Sequence, residues 1–113
     1  MRWYHVAYDS SSTSDLIDIT LITFGSAHEA ASFVSVAAQV LLDGQSYEAP
    51  TQHAYSSIPG AVEVNGTKLS GGSVDYNVIL AKGTTVMGID YSTDHLGTPA
   101  VLGTLVASQY ARL

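Results

Sequence analysis

Apolar and polar residues alternate along much of the chain, which predicts a fold built largely from β-strands. Residues 2–8 alternate aromatic and aliphatic side chains, as a strand does. Residues 16–24 carry apolar side chains on both faces, a pattern typical of a central strand covered on two sides. Residues 73–80 and 84–91 flank Lys82-Gly83 and predict a hairpin.

The middle of the chain gives a less regular pattern. Residues 45–53 contain a proline and predict an irregular connection. Residues 54–64 predict one extended segment, interrupted by Pro59-Gly60. Asn65-Gly66 then predicts a turn, because both residues readily adopt positive φ.

Two segments show the apolar spacing of amphipathic helices. Ser26 to Glu29 has the residues of a capping box, and Asp43-Gly44 ends the first helix. Thr98-Pro99 predicts the start of a second helix that continues to the end of the chain. The residues expected to face the sheet are Phe33, Ala37, Val40, Leu102, Leu105 and Val106.

The predicted fold class is therefore α+β, with one mostly antiparallel sheet and two helices packed on it. The predicted element order is β-β-α-β-β-β-α. Residues 1–113 are expected to form a single domain, since this is the usual size of one.

Charge and composition exclude several classes of partner. The chain has 4 Lys and Arg against 10 Asp and Glu, a formal net charge of −6. So few cations cannot neutralise a phosphate backbone, so we expect no nucleic-acid partner. No apolar run approaches the roughly 20 residues of a membrane span, so we expect no direct membrane insertion. The chain has no cysteine, which excludes disulfides and thiolate metal sites.

The scarcity of charge predicts self-association. Only 12% of residues are charged, against about 25% in an average domain. Unshielded edge strands tend to pair with one another. We therefore predict a homodimer, formed through the aromatic strand 3–8 or through the sheet face carrying Tyr76 and Tyr91.

No residue pattern predicts a catalytic centre. The four histidines lack metal-ligand spacing, and turn and capping roles account for Asp90, Asp94 and His95, so no metal is predicted. No Gly-x-Ser-x-Gly or phosphate-binding loop occurs. Asp18 and Asp75 fall in predicted strands, but nothing in the sequence pairs them. We predict no catalytic residue and no cofactor.

Seven tyrosines and one tryptophan accompany only two phenylalanines. Tyrosine combines an apolar ring with a polar tip, which suits ligand clefts and interfaces. The candidate ligand-binding residues are His53, Tyr76, Asp90, Tyr91 and His95.

The segment Phe24-Gly25-Ser26-Ala27-His28-Glu29-Ala30-Ala31-Ser32-Phe33 resembles the strand-to-helix junction of extracytoplasmic actinobacterial domains. Ile58-Pro59-Gly60, the Lys82-Gly83 hairpin and the final helix reading Leu105-Val106-Ala107-Ser108-Gln109 are similar to the same proteins. The lipoprotein and kinase-sensor domains of mycobacteria are examples of the proteins that this chain resembles. This resemblance implies an exported, secreted or cell-surface binding or sensory module, and it supplies no catalytic residues to transfer.

Three functions follow as hypotheses. The first is a non-enzymatic extracytoplasmic binding or sensory module for a small apolar ligand or a protein partner. The second is a small cofactor-independent enzyme with a cleft between sheet and helices, and the third is a structural assembly domain. A closed polar pocket holding a histidine and a carboxylate would favour the enzyme, and a shallow apolar groove would favour binding.

Overall fold

A computed structural model describes residues 2–9, 15–45, 47–69, 71–94 and 100–113. These residues form six strands and two helices. The elements in chain order are β1 (Arg2–Asp9), β2 (Leu16–Thr23), α1 (Ala27–Asp43), β3 (Tyr47–Ala54), β4 (Val62–Lys68), β5 (Val74–Lys82), β6 (Thr85–Thr93) and α2 (Ala100–Ala111).

Strands β2 to β6 form an antiparallel sheet, and β1 pairs with β2 along one edge to give the order β1-β2-β6-β5-β4-β3. After β2, helix α1 carries the chain to the far edge of the sheet. Strands β3 to β6 then return as a meander, and β6 closes the sheet against β2. The predicted α+β class and the predicted antiparallel sheet with two helices are confirmed.

The predicted element order is wrong by one strand. The segment predicted to be irregular forms most of β3, because Pro50 lies in an edge strand, where a missing N–H is tolerated. The pairing of β3 with β4 shifts register between Glu48 and Thr51, which accommodates the proline. The extended segment predicted over 54–64 is divided by a turn, in which the Tyr55 N–H donates to the Ala61 carbonyl at 2.9 Å.

The turn predicted at Asn65-Gly66 is also wrong. Both residues lie inside β4, where Asn65 pairs with Tyr76 and Gly66 with Asp75. The glycine is needed here for space rather than for a turn. A Cβ at position 66 would lie 2.7 Å from the Tyr47 Cβ, so the Tyr47 side chain occupies the room that a larger residue would take.

The two helices cover opposite faces of the sheet. On one face, α1 buries Ala30, Val34 and Ala38 against strand residues Val64, Ile79 and Val86. On the other face, α2 buries Leu102 and Val106. The strand residues in this second core are Ile19, Tyr76, Val78, Leu80, Met87, Ile89 and Tyr91. Strand β5 is therefore buried on both faces, as its long run of buried residues shows.

The predicted helix boundaries agree with the structure where they can be compared. Ser26 caps α1, since its Oγ accepts the Glu29 N–H at 3.1 Å, and the helix ends at Asp43. The predicted start of α2 at Thr98-Pro99 lies outside the described residues.

The predicted helix faces agree only in part. In α2, Leu102 and Val106 face the sheet and Leu105 is partly buried, as predicted. In α1, Phe33 and Ala37 flank the buried stripe, but Val40 is 65% exposed, and the prediction for it is wrong. Apolar residues occur on more than one side of α1, so the sequence pattern is compatible with two buried faces. Packing on the sheet buries the face centred on Val34. Neither described helix is long and apolar enough to cross a membrane.

Candidate functional site

A cavity of about 250 Å³ opens on the α1 face of the sheet. Two rows of residues form the floor of the cavity, and each row crosses strands β2, β6 and β5. One row is polar and contains Asp18, Asp90 and Asn77; the next contains Thr20, Gly88 and Ile79. Leu41, in the last turn of α1, lines the cavity from the helix side. We call this space the Asp90 cavity.

Gly88 is the residue that leaves room for the cavity. A Cβ built at this position meets no described atom within 4 Å, so a side chain there would project into open space. Glycine in a strand interior weakens the strand and often marks the close approach of a ligand or another backbone. The neighbours across the strand pairs, Thr20 and Ile79, both line the cavity.

A buried carboxylate, Asp75, organises the polar side chains beside the cavity. It accepts hydrogen bonds from Ser92 Oγ at 2.6 Å and from Tyr47 Oη at 2.8 Å. Lys68 Nζ lies 3.6 Å from the same carboxylate. A buried charge is tolerated only when it is paired and hydrogen-bonded, and Asp75 meets both conditions.

Asn77 connects this network to the cavity. Its Nδ2 donates to the Val64 carbonyl at 3.1 Å and to Tyr47 Oη at 3.3 Å. Since a carbonyl can only accept, this contact fixes the orientation of the amide. Tyr47 in turn donates to Asp75, and burial raises its pKa far above the ordinary value.

The surroundings of Asp90 raise the pKa of its carboxyl group well above the ordinary value. Burial and the nearby charge of Asp75, together with a hydrogen bond to Asp75, raise the pKa of Asp90 to about 7. The positive charge of Lys68 lowers this pKa, but its effect is smaller than those of burial and Asp75. The buried Oδ1 of Asp90 has no hydrogen-bond partner among the described residues. The cavity therefore contains a carboxylate that changes charge near neutral pH. Its Oδ1 can accept a hydrogen bond from a ligand.

Of the four candidate ligand-binding residues that the structure describes, only Asp90 lines this cavity. Tyr76 and Tyr91 lie in the core beneath α2, on the opposite face. Tyr91 donates to Asp15 Oδ2 at 2.6 Å, and burial followed by this bond raises its pKa to about 12. His53 is exposed on the edge strand β3, where its ring contacts Thr51, and His95 lies outside the described residues.

The candidate dimer surface carrying Tyr76 and Tyr91 is also corrected by this placement. Both side chains are buried under α2, so this face of the sheet is not free to form an interface between subunits.

The sequence missed Asp18, Asn77 and Gly88 as site residues. The sequence pattern does not pair Asp18 with another carboxylate, but in the structure Asp18 lies directly opposite Asp90 in the pairing of β2 with β6. The signals were present: polar residues interrupt otherwise apolar strands, and Gly88 lies two residues before Asp90 on the same face of β6. Their shared location depends on strand register, which local patterns do not specify. In the described part of the chain, no three His, Cys, Asp or Glu side chains converge on a metal-sized site.

A second, more apolar groove of about 360 Å³ lies on the other side of the molecule. It runs between the turn that follows β3 and helix α2. The lining residues are Tyr55, Ser57, Ile58, Gly103, Ala107 and Tyr110. Burial raises the pKa of Tyr55, so its hydroxyl stays protonated and can act as a hydrogen-bond donor.

Comparison with solved structures identifies a similar fold. The chain matches the extracellular domain of PknH from Mycobacterium tuberculosis with a TM-score of 0.61 over 87% of its length, at 13% sequence identity. The fold is therefore similar to that of this extracellular domain. This match confirms the predicted resemblance at the level of the fold. The matched region is 55% of the PknH domain, so the chain spans about half of that structure.

Comparisons with protein-family models and with curated protein sequences find no match. The PknH likeness therefore carries no site residues to this chain. The Asp90 cavity rests on the geometry of this chain alone.

Proposed function

We propose that this protein is an extracytoplasmic binding or sensory module and that the Asp90 cavity is its ligand site. The observation that carries the proposal is that Gly88 lies beside the row of polar residues that crosses the sheet. A glycine opens space in the middle of the sheet, and that space is lined by Asp18, Asn77 and Asp90. Polar groups in a sheet interior reduce stability unless they are satisfied, so their presence around a cavity favours a role in binding.

The extracytoplasmic setting is supported by the fold comparison. The matching PknH structure is an extracellular domain, and the similarity covers most of this chain. A sensory domain outside the cell needs a ligand site but no catalytic residues.

Binding is favoured over catalysis by the residues around the cavity. Its described lining contains two carboxylates, one amide and one threonine hydroxyl, and no histidine or cysteine among them. A carboxylate in this environment can bind and change protonation, but the described lining brings no activated nucleophile beside it. The small cofactor-independent enzyme is therefore the weaker hypothesis.

The lining also indicates a small polar ligand rather than the apolar one predicted from tyrosine content. Sites for drug-sized ligands occupy about 300–1,000 Å³, whereas the Asp90 cavity measures about 250 Å³. A ligand of a few heavy atoms fits this volume, with its polar end toward Asp90 and its carbon chain toward Leu41 and Ile79.

The second groove supports a different candidate, a small apolar ligand held between Tyr55 and Tyr110. Both rings border the groove, and the small residues Gly103 and Ala107 leave space between them. This candidate retains the small apolar ligand predicted from the sequence. The NMR screen that tests the Asp90 cavity tests this groove as well.

The test is an NMR screen of the isotopically labelled protein with small fragments of positive, neutral and negative charge. We expect fragments to shift the backbone amides of Asn77, Gly88 and Asp90. Gly88→Val adds a branched side chain that suits a strand and fills the cavity, and it should abolish these shifts. Gly103→Ala adds a methyl group on the opposite side of the molecule, and it should leave them unchanged.

The proposal would be overturned if fragments shift the amides of residues 103–110 but none shifts those around Gly88. That result would place the ligand site in the second groove, between α2 and the turn that follows β3. Equal shifts in the wild type and in Gly88→Val would likewise show that binding does not use the cavity.

A further inference from the structure

Tyr47 supplies a hydroxyl group to the polar residues beside the Asp90 cavity. Its Oη donates a hydrogen bond to Asp75 Oδ2 at 2.8 Å and accepts one from Asn77 Nδ2 at 3.3 Å. A hydroxyl group can donate and accept at the same time, whereas an ionised carboxylate only accepts and an ammonium group only donates. Asp75 and Asn77 are therefore a matched pair of partners for a hydroxyl group.

The side chain of Tyr47 also covers Asp75 from the edge of the sheet. Gly66 is directly opposite Asp75 in the pairing of β4 with β5, and it has no side chain that could do so. The Tyr47 Cβ lies 2.7 Å from the position that a Cβ of residue 66 would take. Tyr47 is partly exposed, whereas Asp75 is fully buried. Moving the Tyr47 ring outward would therefore open a path from solvent to Asp75.

The backbone that follows Tyr47 is strained. Ala49 has a φ of +46°, in the left-handed region that residues other than glycine rarely adopt. The pairing of β3 with β4 shifts register between Glu48 and Thr51, and β3 is an edge strand that is paired on one side only. Strain of this kind persists only while surrounding contacts hold it, and the Tyr47 hydroxyl makes two of those contacts. We call residues 47–50 the Tyr47 flap.

Asp75 and Asn77 would keep other partners if the Tyr47 flap moved. Asp75 also accepts from Ser92 Oγ at 2.6 Å, and Lys68 Nζ lies 3.6 Å from its carboxylate. Asn77 Nδ2 also donates to a backbone carbonyl of β4 at 3.1 Å. Neither group would be left as an unpaired buried polar group, which is the outcome that costs most. Opening the flap is therefore compatible with an intact sheet.

A second hydroxyl group of a ligand would find an acceptor nearby. Asn77 and Asp90 are directly opposed in the pairing of β5 with β6, and both line the cavity. Opposed residues in antiparallel strands have Cβ atoms about 4.5–5.5 Å apart, so neighbouring hydroxyl groups of one molecule can reach both side chains. The buried Oδ1 of Asp90 has no hydrogen-bond partner among the described residues. Leu41 and Ile79 line the same space and suit a short carbon chain.

We propose that Asp75 and Asn77 form a hydroxyl-binding subsite of the Asp90 cavity, which Tyr47 occupies as an internal inhibitor until a small neutral diol displaces it. One hydroxyl group of the diol takes the place of the Tyr47 hydroxyl, and the neighbouring hydroxyl donates to Asp90 Oδ1. The Tyr47 flap moves away from Gly66 as the ring leaves. This inference rests on the proposed function, because it assumes that the Asp90 cavity is the ligand site.

The experiment titrates the protein with 1,2-butanediol and follows the backbone amides by NMR, with 2-butanone, butyrate and n-butylammonium as comparisons. A ketone can accept a hydrogen bond but cannot donate one to Asp75, so 2-butanone should not reproduce the binding of the diol. We expect saturable shifts at Asn77 and Gly88 with 1,2-butanediol. The affinity for each comparison compound should be lower by about fivefold or more.

Tyr47→Phe keeps the ring but removes the hydroxyl group that competes with the ligand. It should raise the affinity for 1,2-butanediol about three- to tenfold, because apparent affinity increases with the fraction of molecules in the open state. Tyr55→Phe removes the corresponding hydroxyl group in the second groove and is the matched control, with the affinity for the diol unchanged. A merely structural role of Tyr47 would lower stability without raising this affinity.

Fluorine NMR of the protein labelled with 3-fluorotyrosine gives a second readout. The Tyr47 signal is assigned by its loss in Tyr47→Phe. Saturating 1,2-butanediol should move this signal toward its position in the unfolded protein, because the ring becomes exposed to solvent. The Tyr55 signal should stay in place.

Several results would overturn the hydroxyl-binding subsite. Equal or weaker binding of the diol by Tyr47→Phe, or a Tyr47 fluorine signal that does not move at saturation, would each do so. Equal binding of 2-butanone by the wild type would also do so, and this comparison decides the matter even if Tyr47→Phe does not fold. If butyrate or n-butylammonium binds instead and Gly88→Val blocks it, the proposed function holds while the hydroxyl assignment fails. If no compound shifts the cavity residues, both are wrong.

Discussion

Replacing Asp90 by asparagine should change how the stability of this protein depends on pH. Burial, together with Asp75, raises the pKa of Asp90 from 3.8 to about 7. A raised pKa means that the folded state holds a proton that the unfolded chain has already lost. The stabilisation from this proton is complete below pH 3.8 and is lost as pH rises through about 7.

The magnitude follows from the size of the shift. Each pH unit between the unfolded and folded pKa values costs up to about 1.4 kcal/mol of stability. Between pH 5 and pH 8, the wild type should therefore lose roughly 2–3 kcal/mol from this one group. Asparagine is uncharged at every pH and can still donate an N–H toward Asp75, so Asp90→Asn should not show this loss.

Urea denaturation followed by circular dichroism at several pH values measures the effect. The free energy of unfolding of Asp90→Asn, relative to that of the wild type, should increase from pH 5 to about pH 7 and then become constant. Asp43→Asn, which alters an exposed carboxylate hydrogen-bonded to Gln39, should follow the wild type throughout. A constant difference between Asp90→Asn and the wild type, or one that decreases with pH, would refute the reasoning.

Three further predictions concern folding and assembly. Gly66→Ala should destabilise the protein by about 1–3 kcal/mol, because the added Cβ would overlap the Tyr47 side chain. Gly88→Ala should cost less, because a Cβ there meets no described atom, and equal losses in urea denaturation would contradict this prediction. Ser26→Ala should cost about 1 kcal/mol by removing the cap of α1, and a change of only a few tenths would show that the cap is dispensable. Because β1 lies at a sheet edge, we predict a homodimer formed through it; light scattering that gives 11.9 kDa at every concentration would refute this.

The local signals in the sequence were sufficient for several elements. The Ser26 cap and the end of α1 at Asp43 follow from side-chain chemistry within a few residues. The β5–β6 hairpin follows from two alternating runs around Gly83, which has the positive φ of +58° that glycine permits. Where the deciding interaction lies within one turn or one hairpin, the prediction agrees with the structure.

The candidate site depends on contacts between distant parts of the chain. Asp18 and Asp90 become neighbours only because β6 returns from the meander to pair with β2 in one register. A register shifted by one residue would turn Asp90 toward α2 and remove the polar row. The sequence therefore determined that polar residues and a glycine interrupt apolar strands. Only the tertiary structure placed them side by side, because strand register is set by long-range packing of both faces rather than by the local order of residues.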